Sequence, residues 1–496
     1  MKSDINPIEL AVFLFFFLLV TVIGLFAGKW RRTETSAHLD EWGLGGRQFG
    51  TWITWFLVGG DFYTAYTIIA VPALVFGVGA YGFFALPYTI IVYPFVFAVM
   101  PTLWRAAVER KAVTVADVVR AELGSRALES AIAATGVVAT MPYIALQMIG
   151  MVAAIKALGI AGEVPLIAAF TILALYDLFA GLRAPALIAF AKDAMIYIAV
   201  IAAIVLIPIK LGGYGTIFDA AEKALAEKGG GILLGSNQYL AYATVALGSA
   251  LAAFMYPHTL TGVFASSSAR TIRKNAMLLP LYTLMLGLLA LLGYAGLAAH
   301  LKLESNTDVV PALFQVLFPA WFAGFAFAAI AIGALVPAAV MSIGSANLFT
   351  RNFWKAYVNP AIDAASETRV AKFASLMIKL GAVLFVLYLP TQFAINLQLL
   401  GGLWILQTLP AVLASLFFRW LSAPALFAGW AVGTAGGTYL AWSDGLKPLH
   451  TWTIDGTSYT AYVGIVALVA NIFVAIVTSL MTNPLHQGRG KYGARI

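Results

Sequence analysis

The stretch WFLVGGDFYTAYTIIAVP, residues 55–72, decides the fold, because the letters GGD at 59–61 interrupt an otherwise apolar helix pattern. A second interruption, YPH at 256–258, falls in another apolar stretch five predicted helices further along. A broken helix exposes backbone groups that lipid cannot satisfy, so it persists in a membrane only where it lines a cavity or binds a solute. Two interruptions at matching places in two halves of the chain therefore predict a substrate site between them.

The composition predicts an integral membrane protein. Of the 496 residues, 61% are hydrophobic and only 10% are charged, and the mean hydropathy is +0.90. A helix needs roughly 20 apolar residues to cross a hydrocarbon core of about 30 Å. We therefore expect an all-α protein with thirteen transmembrane helices, which begin near Pro7, Thr51, Gly82, Ala131, Val164, Ala186, Leu240, Asn275, Ala320, Val370, Gln392, Ala423 and Tyr462.

The positions of the two breaks divide the chain into two units. Residues 51–206 and 240–418 each contain five predicted helices, and each unit starts with a broken one. Because five is an odd number, the units must have opposite orientations in the membrane, which is the inverted repeat of many secondary transporters. One extra helix precedes the repeat at 7–28, and two follow it at 423–481.

The positive charges predict the orientation of the chain. The first helix is followed by a basic cluster, so we place the N-terminus outside and the C-terminus in the cytoplasm, with the protein in the cell membrane. The inside loops then hold 21 Lys and Arg residues, and the outside loops hold seven. The net charge of +8 therefore reflects membrane topology and does not indicate nucleic-acid binding, because no basic run is interleaved with aromatic residues.

Several function classes lack their sequence signals. The chain has no cysteine for thiolate chemistry, no Walker motif for ATP-driven transport, and no nucleophile with a neighbouring base. We therefore expect a transporter that is not an enzyme and binds no cofactor. A channel and a sensor with a transporter fold remain alternatives from other classes, although no selectivity-filter sequence is repeated.

Three segments carry a resemblance to a known family. WFLVGGDFYTAYTIIAVPALVFG (55–77), MYPHTLTGVFASSSARTIRKNAM (255–277) and PAAVMSIGSANLFTRNFWKAY (337–357) resemble the sodium/solute symporter family, which has the LeuT fold. GLRAPALIAFAKD (181–193) is most similar to the bacterial monocarboxylate permease branch. The resemblance implies a cation-coupled symporter that imports short acids of the lactate, pyruvate or acetate type by alternating access. A sodium-coupled symporter of another small solute, such as an amino acid, is the alternative.

The resemblance also implies a sodium site. The family takes carbonyl oxygens from its first broken helix and from a later helix, and here Gly60, Tyr63 and Ala339 would supply them, with a hydroxyl from Ser342. Hard cations prefer such oxygen ligands. Sodium-coupled members usually carry two adjacent hydroxyl residues, whereas in this chain Ser342 is followed by Ile343.

A second departure from the family lies on the sixth predicted helix. The family usually places Thr before an Asp that supports the ion site, and here Lys192 precedes Asp193. We hypothesise that the Lys192 ammonium occupies the cation position and titrates, so that transport is coupled to H+ rather than Na+. Two structural alternatives remain: Lys192 snorkels to the headgroups, or it forms an ion pair with Asp193 or Asp61. Asp61 is the better geometric candidate for that pair, because sequence neighbours on a helix point about 100° apart.

The substrate site is predicted from the two breaks and the helices that face them. Helix N-termini at a break supply donors for an anion, and the remaining candidates are polar or aromatic side chains that could equally be structural. These candidates are Thr64, Tyr66 and Thr67 beside the first break, Tyr256, Pro257 and His258 at the second, Tyr143 and Gln147 on the fourth helix, and Gln392 with Asn396 on the eleventh.

Overall fold

The computed structural model describes residues 5–27, 39–60, 64–389 and 393–482, and nearly all of this chain is helical. The first half contains α1 (Pro7–Ala27), α2 (Leu39–Leu44), α3 (Thr51–Thr54), α4 (Val71–Val78), α5 (Ala85–Glu109), α6 (Val115–Leu123), α7 (Arg126–Ala157), α8 (Val164–Ala180) and α9 (Arg183–Leu211). The second half contains α10 (Tyr214–Ala226), α11 (Tyr239–Ala253), α12 (Pro257–Ala265), α13 (Ala269–Leu278), α14 (Pro280–Ala298), α15 (Val309–Leu317), α16 (Ala320–Phe349), α17 (Ala364–Tyr388), α18 (Ile395–Ile405) and α19 (Leu409–Phe417). The chain continues through α20 (Ala423–Ser443), β1 (Leu449–Ile454), β2 (Thr457–Tyr462) and α21 (Val463–Thr482).

The helices are interrupted where the sequence predicts it. The helix that begins at α3 continues through a π-helical turn, Trp55–Gly59, to Gly60; Thr64 is not helical, and helical structure is found again from Ala65, with a second π-helical turn at Tyr66–Ala70. α11 and α12 meet at a bend of 44°, where Tyr256 has an extended backbone and Pro257 starts α12. Proline suits this first helical position because its missing N–H has no intrahelical partner there.

The number of membrane crossings stays a prediction. Within the described residues, nine helices are long and apolar enough to cross a membrane, and α11 with α12 would make a tenth if they form one bent span. The boundaries of the two predicted five-helix units likewise remain an expectation.

One element contradicts the all-α prediction. β1 and β2 form an antiparallel hairpin between α20 and α21, with Leu449 opposite Tyr462 and Ile454 opposite Thr457. Asp455 and Gly456 both have positive φ, 49° and 75°, as the tight turn of such a hairpin requires. A search for long apolar runs overlooks strands this short, although an Asp-Gly pair is a recognised hairpin signal.

Two glycines let helices approach the breaks closely. A Cβ on Gly150 of α7 would lie 2.4 Å from Ala65 Cβ, and a Cβ on Gly344 of α16 would lie 2.8 Å from the carbonyl carbon of Pro257. α16 is the most enclosed span, since its most apolar window is entirely buried. Small residues permit this packing between membrane helices, so α7 and α16 form the walls against which the two breaks rest.

Candidate functional site

A buried lysine lies at the first break. Lys192 of α9 is 1% exposed, and its Nζ donates to the Gly60 carbonyl oxygen at 2.7 Å. The same Nζ lies 3.0 Å from Oδ1 of the buried Asp193. The Lys192 ammonium therefore contacts the carbonyl that the family resemblance assigned to a sodium ion.

These contacts decide between two readings of Lys192. Snorkelling to the headgroups is wrong, because the side chain is enclosed by protein. Lys192 pairs with its own neighbour Asp193, and the preference for Asp61 as its partner stays a prediction. The long lysine side chain can bend towards Asp193 even though the two Cα–Cβ directions diverge. Asp61 itself lies outside the described residues.

Asp193 is positioned by a tyrosine from the second half of the chain. Tyr282 of α14 donates its hydroxyl to Asp193 Oδ2 at 2.8 Å. The Tyr282 ring packs on Trp55 with centroids 5.0 Å apart, and a Cβ at Gly59 would lie 2.2 Å from the ring. The first broken helix, α9 and α14 therefore meet around one buried ion pair. Sequence reasoning missed Tyr282, because nothing in its own segment distinguishes it from other membrane tyrosines.

The remaining predicted sodium ligands lie on α16. Ser342 donates its hydroxyl to the Ala339 carbonyl oxygen at 2.9 Å, and both residues are fully buried. Ile343 is also fully buried, so an apolar side chain stands where sodium-coupled members usually have a second hydroxyl. Tyr63, the other predicted carbonyl ligand, lies outside the described residues.

An aromatic cluster forms at the second break. The rings of Tyr143, Tyr256 and His258 lie 5.2–5.4 Å apart, centroid to centroid, which brings α7 against the start of α12. The Tyr256 hydroxyl donates to the Gln398 carbonyl oxygen on α18 at 2.9 Å. These contacts bring together three predicted substrate residues from distant parts of the sequence.

Two threonines and a glutamine shape the restart of the first broken helix. Thr64 Oγ1 accepts from the Tyr66 N–H at 3.0 Å, so it serves as a local helix cap. Gln147 Oε1 accepts from the Ala65 N–H at 3.0 Å. Thr67, one turn further on, is buried. The structural reading of Thr64 is therefore favoured, whereas Gln147 both fixes the break and keeps its amide N–H groups available.

Four of the buried polar atoms around the breaks that have no hydrogen-bond partner within the described part of the chain belong to predicted site residues or their neighbours. They are Tyr66 OH, Gln147 Nε2, His258 Nδ1 and Gln398 Oε1. Leaving such a group unsatisfied costs about 1–3 kcal/mol, which makes these four atoms candidates for hydrogen bonds to a solute. We call these four side chains the central polar set. Gln398 was not predicted, because it falls outside the i, i+4 pair of Gln392 and Asn396, and Gln392 is not among the described residues.

On one side of this region, the segment before α3 contacts the end of α12. The Phe49 N–H donates to the Ala265 carbonyl oxygen at 3.1 Å, and the Ser267 N–H donates to the Phe49 carbonyl oxygen at 2.9 Å. A buried ion pair between Glu41 and Arg183 ties α2 to the start of α9. The charge distribution predicts that this side faces the cytoplasm.

Known proteins match the chain over most of its length. The model of the sodium:solute symporter family matches residues 42–433. A protein of Rhizobium johnstonii named as a monocarboxylate transport permease is 67% identical over 97% of this chain and 98% of its own. An uncharacterized symporter of Bacillus subtilis, YodF, is 32% identical over 95% of this chain and 94% of its own.

The fold also matches a solved structure. A substrate-bound, outward-open Na+-coupled sialic acid symporter superposes with a TM-score of 0.77, covering 96% of this chain and 98% of its own, at 15% sequence identity. The LeuT-type fold predicted from the sequence is thereby confirmed. From the family match, the close relative and the shared fold, we conclude that the chain belongs to the sodium:solute symporter family, whose members are membrane-embedded transporters of small solutes and not enzymes.

Proposed function

We propose that the protein imports a short monocarboxylate together with a proton carried by Lys192. The observation that carries the proposal is the contact between Lys192 Nζ and the Gly60 carbonyl oxygen, 2.7 Å apart and buried beside Asp193. A positive group of the chain itself stands where a sodium-coupled relative would hold its ion. The name of the Rhizobium relative, which covers nearly the whole chain, supports the substrate class.

The protonated lysine links parts of the molecule that must move. Its ammonium bridges the first broken helix, at Gly60, and α9, at Asp193. Transporters of this fold work by moving the broken helices against the surrounding ones. Loss of the proton replaces the charge-assisted hydrogen bond to Gly60 with a weaker neutral one and leaves Asp193 without its counter-charge, so the contact between α9 and the first broken helix weakens. Protonation from outside and release inside would then bias the direction of the cycle.

The central polar set suits a small carboxylate. Gln147 Nε2 and Tyr66 OH are donors for carboxylate oxygens, and His258 Nδ1 is a further donor or acceptor according to its tautomer. The faces of Tyr143 and Tyr256 offer an apolar surface for a one- to three-carbon tail. A larger polyhydroxylated solute would need more hydrogen-bonding groups than these side chains provide.

Sodium-coupled transport is the second candidate, and one contact favours it. The Ser342 hydroxyl and the Ala339 carbonyl oxygen are adjacent on α16, as two oxygen ligands of a cation would be. The family is named for sodium coupling. In that case Lys192 would be a fixed charge that supports Asp193, and Na+ would bind beside it.

Uptake of labelled lactate and pyruvate into proteoliposomes tests the proposal. Wild type, Lys192→Ala and the control Lys379→Ala are compared under an imposed pH gradient and under an imposed sodium gradient. Lys379 is an equally buried lysine, 1% exposed, but on α17 and bonded to Ser375. We expect the pH gradient to drive accumulation in wild type and in the control, and Lys192→Ala to lose it.

The other possible outcomes have equally clear interpretations. Sodium-driven accumulation that survives in Lys192→Ala would overturn proton coupling and restore the second candidate. Exchange of lactate with no accumulation under either gradient would reject coupling altogether. Both variants should melt at the wild-type temperature, which shows that a loss of uptake is a loss of transport and not of folding.

A further inference from the structure

A basic cavity opens on the side that the charge distribution assigns to the cytoplasm. It measures about 440 Å³ and lies between the α5–α6 connection, the start of α7 and the π-helical segment Thr350–Val358 that follows α16. Its described lining contains two carboxylates and six cationic side chains, namely Arg110, Lys111, Arg120, Arg126, Arg351 and Lys355.

The two carboxylates are already bonded within the protein. Asp117 accepts from the backbone N–H groups of Val113 and Thr114 and from Asn352 Nδ2. Glu129 pairs with Arg120 and accepts from the same Asn352 side chain at 2.9 Å. Each carboxylate also has a cation beside it, Arg120 for Glu129 and Arg351, at 3.9 Å, for Asp117, which offsets its repulsion of an anion.

The cations are in excess even after their own partners are counted. Arg351 and Lys355 share Glu367, and Arg110 pairs with Glu122. The side chains of Lys111 and Arg126 have no ion-pair partner within the described ranges, and both are exposed. A concave surface with an excess of one charge raises the local concentration of the opposite ion, and arginine and lysine are the usual carboxylate binders.

The cavity adjoins the second break. A gap of about 10 Å³ runs between Pro257, Leu260 and Phe264 of α12 and Gly344 and Leu348 of α16, which is room for about one water molecule. Thr114 lines this gap and donates its hydroxyl to Asn352 Oδ1 at 2.8 Å. Asn352 in turn holds both cavity carboxylates. One hydrogen-bonded pair thus separates the gap beneath the second break from the basic cavity.

We propose that the basic cavity is a second, cytoplasmic binding site for the transported monocarboxylate, occupied on its way between the central polar set and the cytoplasm. The proposal rests on the proposed function, because it takes the cargo to be a monocarboxylate. The carboxylate is held by Lys111 and Arg126, the two cations without competing partners. The site lowers the cytoplasmic concentration at which the carrier is half-saturated and leaves the outer side unaffected.

Right-side-out membrane vesicles containing the full chain test this site. Initial efflux of labelled lactate is measured against internal lactate concentration for wild type, for the double variant Lys111→Gln/Arg126→Gln, and for the control Arg270→Gln/Lys274→Gln. The control removes the same charge from exposed residues of α13, on the same predicted side but outside the cavity. We expect the efflux KM of the cavity variant to rise roughly three- to tenfold, while its uptake KM and the control stay unchanged.

Each remaining result has one meaning. If the wild type transports lactate and the efflux KM is the same in all three proteins, the inference is overturned and the proposed function remains intact. If the wild type transports no short monocarboxylate, the proposed function itself is overturned. If the cavity variant differs from the control only in vesicles rich in anionic lipid, the cavity binds a lipid headgroup and the inference fails. Equal rises in efflux KM for both double variants would show a general surface-charge effect and would also overturn it.

Discussion

Replacing Tyr282 with phenylalanine removes one hydroxyl from the contacts that support Lys192. That hydroxyl donates to Asp193 Oδ2 at 2.8 Å and lies 3.4 Å from the Trp55 carbonyl oxygen. Phenylalanine preserves the ring that packs on Trp55 and over Gly59, so Tyr282→Phe deletes the hydrogen bonds and leaves the packing in place.

The size of the effect follows from burial and charge. A hydrogen bond to a charged group contributes about 1.5–3 kcal/mol, and Asp193 is fully buried, so water cannot replace the lost donor. We therefore expect the free energy of unfolding to fall by about 2–3 kcal/mol, measured by denaturant titration of the purified protein with tryptophan fluorescence as the signal.

Tyr294 provides a matched control. It lies on the same helix, is 2% exposed, and its hydroxyl has no hydrogen-bond partner within the described part of the chain. Tyr294→Phe removes a hydroxyl that has no partner, so it should leave the free energy of unfolding unchanged or raise it. Equal losses for Tyr282→Phe and Tyr294→Phe would refute the reasoning, because the hydroxyl contact to Asp193 would then have no specific value.

Three further predictions concern other parts of the molecule. Gly344→Ala should lower the melting temperature and raise the substrate KM, because its Cβ would lie only 2.8–3.0 Å from backbone atoms at the second break. An unchanged KM would show that the substitution affects packing and not substrate binding. Gln147→Leu leaves the Ala65 N–H without its acceptor and should reduce uptake roughly tenfold, whereas uptake at the wild-type rate would remove Gln147 from the site. Hydrogen bonds from Ser366 lower the pKa of Asp363 at the start of α17. Its stabilisation is therefore present above the ordinary carboxyl pKa and is lost as the pH falls through the lowered value. Asp363→Ala should have a lower melting temperature than wild type at pH 7 and the same melting temperature in strong acid. A difference in melting temperature that stays constant at all pH values would contradict this.

The sequence predicts the features of this fold that local chemistry determines. The internal Tyr-Pro-His places the second break, because Pro257 has no N–H to donate within a helix. The glycine pair at the first break is a weaker signal, since other glycine pairs lie inside α18 and α20. The sequence left Lys192 open among a proton carrier, a snorkelling side chain and an ion pair with Asp193 or Asp61, because the direction of its side chain depends on neighbouring helices. The hairpin at 449–462 was missed because its strands are short and mostly polar.

Two site residues were not predicted from the sequence, and the reason is different. Tyr282 and Gln398 act only through neighbours that are distant in sequence, and no pattern within their own helices indicates what they face. The direction in which the Lys192 side chain bends likewise depends on where the Gly60 carbonyl lies. Periodicity gives the face of a helix, whereas rotamers and contacts between helices require the assembled structure.

The ammonium that rests on the Gly60 carbonyl is attached to the chain by covalent bonds. A dissolved ion leaves its site when the surrounding solution is diluted, because its occupancy follows mass action. An attached cation has an effective concentration fixed by the length of its tether, so diluting sodium cannot empty this position. Its charge can change only when a proton leaves or returns. A cell that carries such a transporter has no need to maintain a sodium supply in order to keep this position filled.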